Sequence, residues 1–262
     1  MSGDVHAGFC ERRRVRLPPA TLLLVIEYWA HPAAVAAVLP PGLAPFAPDP
    51  GRAAALFVDW QSTAQERAEL LDPRRAQYRE CFLVVAASLD GEAVTTCPYI
   101  WVDQDFALAR GWIQGFPKKL GSIWMTRTFG LGGPADPGLA AGSTFAGTLA
   151  AADRRLADAT VTLEALSERG PTHNEPPLVN VRHFPRLAAG RHDEPAVHEL
   201  VGARSRDRRI SPVWEGSATL ALHDAPGEEH AALAPVALGR GFRFSFAYTV
   251  DDLETLRDLT RG

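Results

Sequence analysis

Lysine is nearly missing from this chain. Of its 27 basic residues only two, Lys118 and Lys119, are lysine, and they are adjacent. Arginine takes every other cationic position. On a solvated face either cation serves, so drift toward arginine is tolerated there, and a position that stays lysine is one that needs an amine. A guanidinium stays protonated and is a poor nucleophile, whereas an ε-amine can lose its proton on burial and condense with a carbonyl.

Other absences narrow the function further. Cysteine is scarce: Cys10, Cys81 and Cys97 are odd in number, irregularly spaced and without a Cys-x-x-Cys pair, which excludes a disulfide framework and fits a reducing cytoplasm. No apolar run is long enough to span a bilayer, and the Arg-rich segment from Met1 to Arg16 has no hydrophobic stretch directly behind it, so a cytoplasmic protein with no membrane partner is expected. A net charge of -4 leaves no basic stripe for nucleic acid, and the clusters Arg12-Arg13-Arg14 and Arg204 to Arg209 read as solvated loops. The stretch Gly130 to Gly142 holds five glycines and two prolines in neither a P-loop nor a Rossmann pattern, so it reads as a turn-rich loop. No cofactor is expected.

What is present is a hydrophobic fraction of 46% with no internal repeat and no linker, read as a single domain over residues 1–262. Branched and aromatic content predicts strands over Leu22 to Tyr28, Ala54 to Trp60, Phe82 to Ser88, Pro98 to Val102, Ile123 to Phe129, Leu178 to Phe184, Ser217 to Leu222 and Phe242 to Tyr248. Helical patterns are fewer: Pro32 to Val38, Asp105 to Arg110 and the C-terminal Val250 to Leu259. The fold class is therefore mainly β (α+β), mostly antiparallel, with a barrel or a sandwich both open.

Chemistry concentrates at Gly115-Phe116-Pro117-Lys118-Lys119-Leu120, where a turn ahead of a strand delivers the lysines toward the interior. Two ammonium groups side by side repel, and burial disfavours charge, so both effects favour a neutral amine at whichever lysine points inward. Cys81 follows a strand glutamate, Glu80, and alternation turns it to the opposite face, as a structural thiol rather than a nucleophile. His183, His192, Asp193 and His198 match no zinc spacing and look loop-borne, so no metal is expected. His223-Asp224 lacks a partner serine motif.

The lysine motif, together with Val38-Leu39-Pro40-Pro41-Gly42-Leu43, Tyr78-Arg79-Glu80, Pro177 to Pro185 and Val213-Trp214-Glu215-Gly216, resembles the acetoacetate decarboxylase-like superfamily over nearly the whole chain. The resemblance implies a closed, cone-like β-barrel within a larger sheet scaffold, assembled as a homo-oligomer, a tetramer being favoured. It also implies that Lys118 forms the Schiff base, that Lys119 is the cation keeping its amine neutral, and that Glu80 is the active-site carboxylate. Decarboxylases of the family carry Gly-Arg-Glu ahead of the lysines, where this chain has Arg110-Gly111-Trp112-Ile113-Gln114. Their first-strand arginine aligns with Thr21 and their second pocket glutamate falls near Asp59, so a second active-site cation is expected to be missing.

The departures resemble the pyruvate aldolase-dehydratase branch, in which a glutamine before the lysine and two tyrosines line the pocket; Gln114, Tyr78 and Tyr248 stand at those places. That similarity implies condensation of pyruvate with an aldehyde and dehydration to an α,β-unsaturated 2-oxo acid, with Gln114 and Tyr78 binding substrate, Glu80 as base and Tyr248 as acid. Decarboxylation of acetoacetate or another β-keto acid by the same lysine, and a catalytically silent keto-acid-binding protein, remain as alternatives.

Overall fold

Long runs of apolar residues dictate strands buried on both faces, because alternate side chains point to opposite sides and neither side meets water. The strand Arg52–Gln61 shows this directly: six consecutive residues, Ala53 to Val58, are buried. The structure, a computed structural model, describes residues 20–191 and 193–260. Cys10, Arg12, Arg13, Arg14 and His192 lie outside them.

In chain order the strands are β1 (Ala20–Ala30), β2 (Ala44–Pro45), β3 (Arg52–Gln61), β4 (Gln77–Leu89), β5 (Glu92–Val102), β6 (Lys118–Leu120), β7 (Ser122–Met125), β8 (Thr144–Ala151), β9 (Arg154–Leu166), β10 (Val179–Pro185), β11 (Pro195–Ile210), β12 (Trp214–Leu222) and β13 (Pro235–Asp258). Two helices, α1 (Pro32–Ala37) and α2 (Asp105–Ile113), accompany them among the described residues. All strands belong to one sheet whose main path runs β6-β5-β4-β3-β1-β13-β12-β9-β8-β7, with β2, β10 and β11 attached beside it. Among the described residues every pairing between these strands is antiparallel except β5 with β6, and an isolated bridge from Thr95 of β5 to Leu178 is also parallel.

The expected closed barrel is corrected to an open path. Its two end strands, β6 and β7, are not hydrogen-bonded to each other but follow one another in the chain, with only Gly121 between them. The segment thus pairs with β5 first and β8 next, and the Gly121 N–H donates to the Val102 carbonyl at 3.0 Å. A Cβ at Gly121 would stand 3.0 Å from Trp101 Cβ and 3.2 Å from Leu149, so a side chain there would crowd the seam. Arg243, fully buried on β13, spans toward the seam, donating to the carbonyls of Leu23 at 3.0 Å and Thr126 at 3.3 Å. Burial lowers its pKa to about 10.

One face of the sheet buries Leu24, Ile26, Phe57, Trp101 and Phe145. The other buries Val25, Leu56, Trp60, Tyr78 and Phe244, and it is on this second face that the chemistry gathers.

Four expectations are revised. Val250 to Leu259 is not a helix: its described residues through Asp258 are the end of β13, paired with β11. Leu253, Leu256 and Leu259 recur at helical spacing, but the pairing Leu200↔Arg257 and Val201↔Thr255 leaves Leu256 as an extra residue in a bulge, which absorbs that spacing within a strand. Arg204 to Arg209 lies in β11 rather than in a loop, and His183 faces His198 across β10 and β11 with ring centroids 4.9 Å apart. The strand predicted to reach Phe129 ends at Met125.

Candidate active site

The lysine reaches the second face through a helix ending built into the sequence. Gln114 caps α2 and Gly115 takes φ +83°, the left-handed conformation glycine adopts readily. The Phe116 N–H donates to the Gly111 carbonyl at 2.9 Å and the Gly115 N–H to the Trp112 carbonyl at 3.2 Å. These are the two bonds of a Schellman ending. The Trp112 indole then donates to the Lys118 carbonyl at 2.9 Å, tying the returning chain to the helix. Gly111 makes room for the lysine stem: a Cβ there would fall 2.2 Å from Lys118 Cδ.

On β4, alternation puts Tyr78, Glu80 and Phe82 on one face and Cys81 on the other, where it packs with Phe57 and Trp101. The Lys118 ammonium donates to Glu80 Oε1, and the Trp60 indole donates to Glu80 Oε2 at 2.8 Å. Lys118 and Glu80 are 6% and 4% exposed, so this is a buried ion pair whose carboxylate is held from two sides. The Lys118 amine lies 5.6 Å from the centre of the Tyr78 ring and 5.7 Å from that of Phe116. Trp60 stacks on Tyr78 at 6.1 Å and meets the edge of Tyr248 at 5.9 Å.

Lys118, Glu80, Tyr78, Gln114 and Tyr248 line one cavity of about 130 Å³. Burial, and next the charge of Glu80, raise the Tyr78 phenol well above its ordinary value and push Tyr248 up to about 12. Both hydroxyls are therefore protonated, and able to donate, through the neutral range.

Lys119 is not brought to this cavity. Successive residues of β6 face opposite ways, and its exposed amine pairs with Glu228 at 2.8 Å. The expected cation beside the Lys118 amine is therefore corrected. Asp59 also turns away, paired with Arg127 at 3.1 Å, and Thr21 lies outside the cavity wall.

The expectation of a missing second cation is overturned by Arg110. Half-buried on α2, it lines the cavity and donates to the Tyr78 hydroxyl at 2.7 Å. Arg110 and Gln114 are four residues apart, so one helical turn presents a guanidinium and an amide to the same space. The signal was the i, i+4 spacing, hidden because the predicted helix stopped at Arg110 when α2 runs to Ile113. Trp60, near the end of β3, and Ser62, just past it, are further wall residues that the sequence did not single out.

The sequence profile described as acetoacetate decarboxylase (ADC) matches residues 11–259. Among curated proteins none matches the chain. Among solved structures, the enduracididine biosynthesis enzyme MppR, in complex with the condensation product of pyruvate and imidazole 4-carboxaldehyde, is 36% identical, with a TM-score of 0.87 over 93% of this chain and 90% of that one. An acetoacetate decarboxylase-like enzyme from Sphingomonas wittichii RW1 is 27% identical, with a TM-score of 0.86 over 94% and 95% of the two chains. Acetoacetate decarboxylase from Legionella pneumophila shares the fold at 18% identity, with a TM-score of 0.73 over 98% and 94%. With its profile matched almost end to end and a buried lysine–glutamate pair at the head of its cavity, this chain belongs to the acetoacetate decarboxylase-like family.

Proposed function

We propose that this protein is a lysine-dependent aldolase-dehydratase that condenses pyruvate with an aldehyde. The observation that carries the reading is the Gln114 amide at the end of α2, which faces the same small cavity as Lys118 and Glu80 with Arg110 one turn before it. A guanidinium and an amide beside an imine-forming amine hold a carboxylate that is kept. Decarboxylases of the family carry arginine as well, so the guanidinium is common to both reactions; the Gln114 amide, a neutral donor that positions a carboxylate which stays, is what favours condensation over loss of carbon dioxide. The similarity to MppR, whose structures contain pyruvate and its condensation product with an aldehyde, supports the same substrate class.

In this reading the Lys118 amine adds to the pyruvate carbonyl and water leaves, giving an imine. Glu80 takes a proton from C3 and the electron pair moves to the imine nitrogen, giving an enamine. Enamine C3 attacks the aldehyde carbon, and Tyr248 gives its proton to the resulting alkoxide. Loss of a second C3 proton with the hydroxyl releases water, and hydrolysis of the imine returns Lys118 and frees an α,β-unsaturated 2-oxo acid. The reading retains the expected homo-oligomer, a tetramer, to which the exposed Trp124, Phe129, Leu131 and Ile210 would contribute apolar contact; light scattering checks it.

The test is exchange of the C3 protons of pyruvate for deuterium without aldehyde. Wild type exchanges, whereas Glu80→Gln still traps pyruvate with borohydride but exchanges about 10²–10⁴-fold more slowly, the range for loss of a general base. Tyr248→Phe slows formation of the ultraviolet-absorbing oxo acid more than it slows exchange. Carbon dioxide release from acetoacetate at enzymatic rates, with neither exchange nor condensation of pyruvate, would return the protein to the decarboxylases.

A further inference from the structure

The cavity that holds Lys118 is small. Its volume of about 130 Å³ falls below the roughly 300–1,000 Å³ of ordinary ligand sites. It has room for a three-carbon acid, and the chain of a second reactant must extend elsewhere. A separate cavity of about 540 Å³ adjoins it, and Ser62 and Arg110 form part of both walls. Phe106, edge-on to Tyr78 at 5.6 Å, continues the wall of the larger space. Ser62 lies two residues beyond Trp60, which packs against Tyr248, and Ser62 and Tyr248 both line the catalytic cavity.

We propose that this larger cavity holds the chain of the acceptor aldehyde, and that Arg74 and Arg75 select acceptors that carry an anionic group. The inference rests on the pyruvate reading above and adds the class of its second substrate. Three arginines and three carboxylates line the space, but they are not equally committed. Glu69 accepts from Thr63 Oγ1 at 3.1 Å and the Ala64 N–H at 3.0 Å, Asp105 accepts from the Phe106 N–H at 2.7 Å, and Arg110, whose guanidinium also bonds Tyr78, serves the pyruvate carboxylate in the reading above. The exposed side chains of Arg74 and Arg75, on the short turn Pro73–Arg75, have no hydrogen bond or ion pair among the described residues. Arg75 acts on Glu69 only through its charge, without a hydrogen bond, and Arg74 has no such partner, so the donors of both guanidinium forks stay open beside one carboxylate without a side-chain hydrogen bond, Asp72. Planar forks of this kind bind carboxylate or phosphate through paired hydrogen bonds. A third cavity, behind Phe116, is lined by Trp112, Tyr99 and Phe184 and does not share Ser62 or Arg110 with the catalytic space.

The test compares 4-oxobutanoate with its neutral methyl ester as acceptors, with pyruvate as donor. Wild type favours the anion. In Arg74→Gln/Arg75→Gln the KM for 4-oxobutanoate rises about tenfold, the KM for the ester stays the same, and deuterium exchange into pyruvate is untouched. Arg74→Lys/Arg75→Lys recovers part of the loss because it keeps the charge without the fork. Equal effects on acid and ester, or no effect on either while exchange persists, overturn the proposal. A wild type that neither traps nor exchanges pyruvate overturns the catalytic reading beneath it, a separate and recognisable failure.

Discussion

The two faces of β6 hold the only lysines of the chain in opposite circumstances. Lys118 points into the second face, 6% exposed, against Glu80, Tyr78 and Phe116. Lys119, one residue on, reaches outward to Glu228 with its side chain 45% exposed. Identical side chains, 3.8 Å apart along the backbone in an ordinary trans peptide, thus meet a water-poor cavity and a wet ion pair. Chemistry follows from the face. A buried amine held against a carboxylate can meet a carbonyl out of water, whereas an exposed ion pair of this kind contributes only about 0–1 kcal/mol. On the proposed reading, what arginine could not replace at position 118 is the nucleophile; at position 119 arginine would serve the pair with Glu228.

The largest expected effect breaks the comparison at its buried side. Lys118→Arg retains a cation beside Glu80 but cannot condense with a carbonyl, so the borohydride-trapped pyruvate adduct disappears and turnover falls to background. Mass spectrometry of the trapped protein reads this directly. An adduct at Lys119 instead would invert the assignment of the two faces.

Next in size is Gly111→Ala. A methyl placed 2.2 Å from Lys118 Cδ has to displace the lysine stem or the helix that carries Arg110 and Gln114. Misplacement of a reacting group by about 1 Å costs on the order of 10²-fold in rate. The expected outcome is a folded protein with normal circular dichroism and imine formation slowed by about that factor. Wild-type rates would mean that the close approach of Gly111 does not position the amine.

Much of this site was legible because composition singled out one motif and resemblance supplied its partners. Lys118, Glu80, Tyr78, Gln114 and Tyr248 line a common cavity, drawn from β6, β4, α2 and β13. What stayed hidden depends on three-dimensional context. Whether Lys118 or Lys119 faces inward is set by how a three-residue strand pairs with β5, and three residues carry no periodicity to read. Arg110 was invisible as a site residue until α2 was seen to continue past it. The hairpin β8–β9 escaped because alanine, a poor strand former, is the commonest residue of its strands and its turn, Ala152-Asp153, lacks the usual Asn-Gly signal although both residues have positive φ. The C-terminal leucines suggested a helix whose propensity was overridden by sixteen residues of β11 waiting for a partner.

The smallest expected effect tests the exposed side, and it is the sharpest test of the comparison. If adjacency alone mattered, the charge of Lys119 would help to keep the Lys118 amine neutral, and Lys119→Ala would let that amine hold its proton longer, moving the acidic limb of imine formation to higher pH. The structure gives a different expectation. Lys119 faces away, its charge is met by Glu228, and what remains is screened by water and salt over about 8–10 Å. Lys119→Ala should therefore leave the pH profile of borohydride trapping in place, change the rate by less than about twofold, and lower stability by no more than about 1 kcal/mol. Glu228→Gln serves as the complementary probe, since it frees the Lys119 charge without moving its backbone. It too should leave the profile unmoved, because the amine still points to the other face. A shift of about one pH unit toward the alkaline side in Lys119→Ala would show that charge acts across β6 regardless of which way the side chains point, and the division between the two faces would fail as an account of this lysine pair.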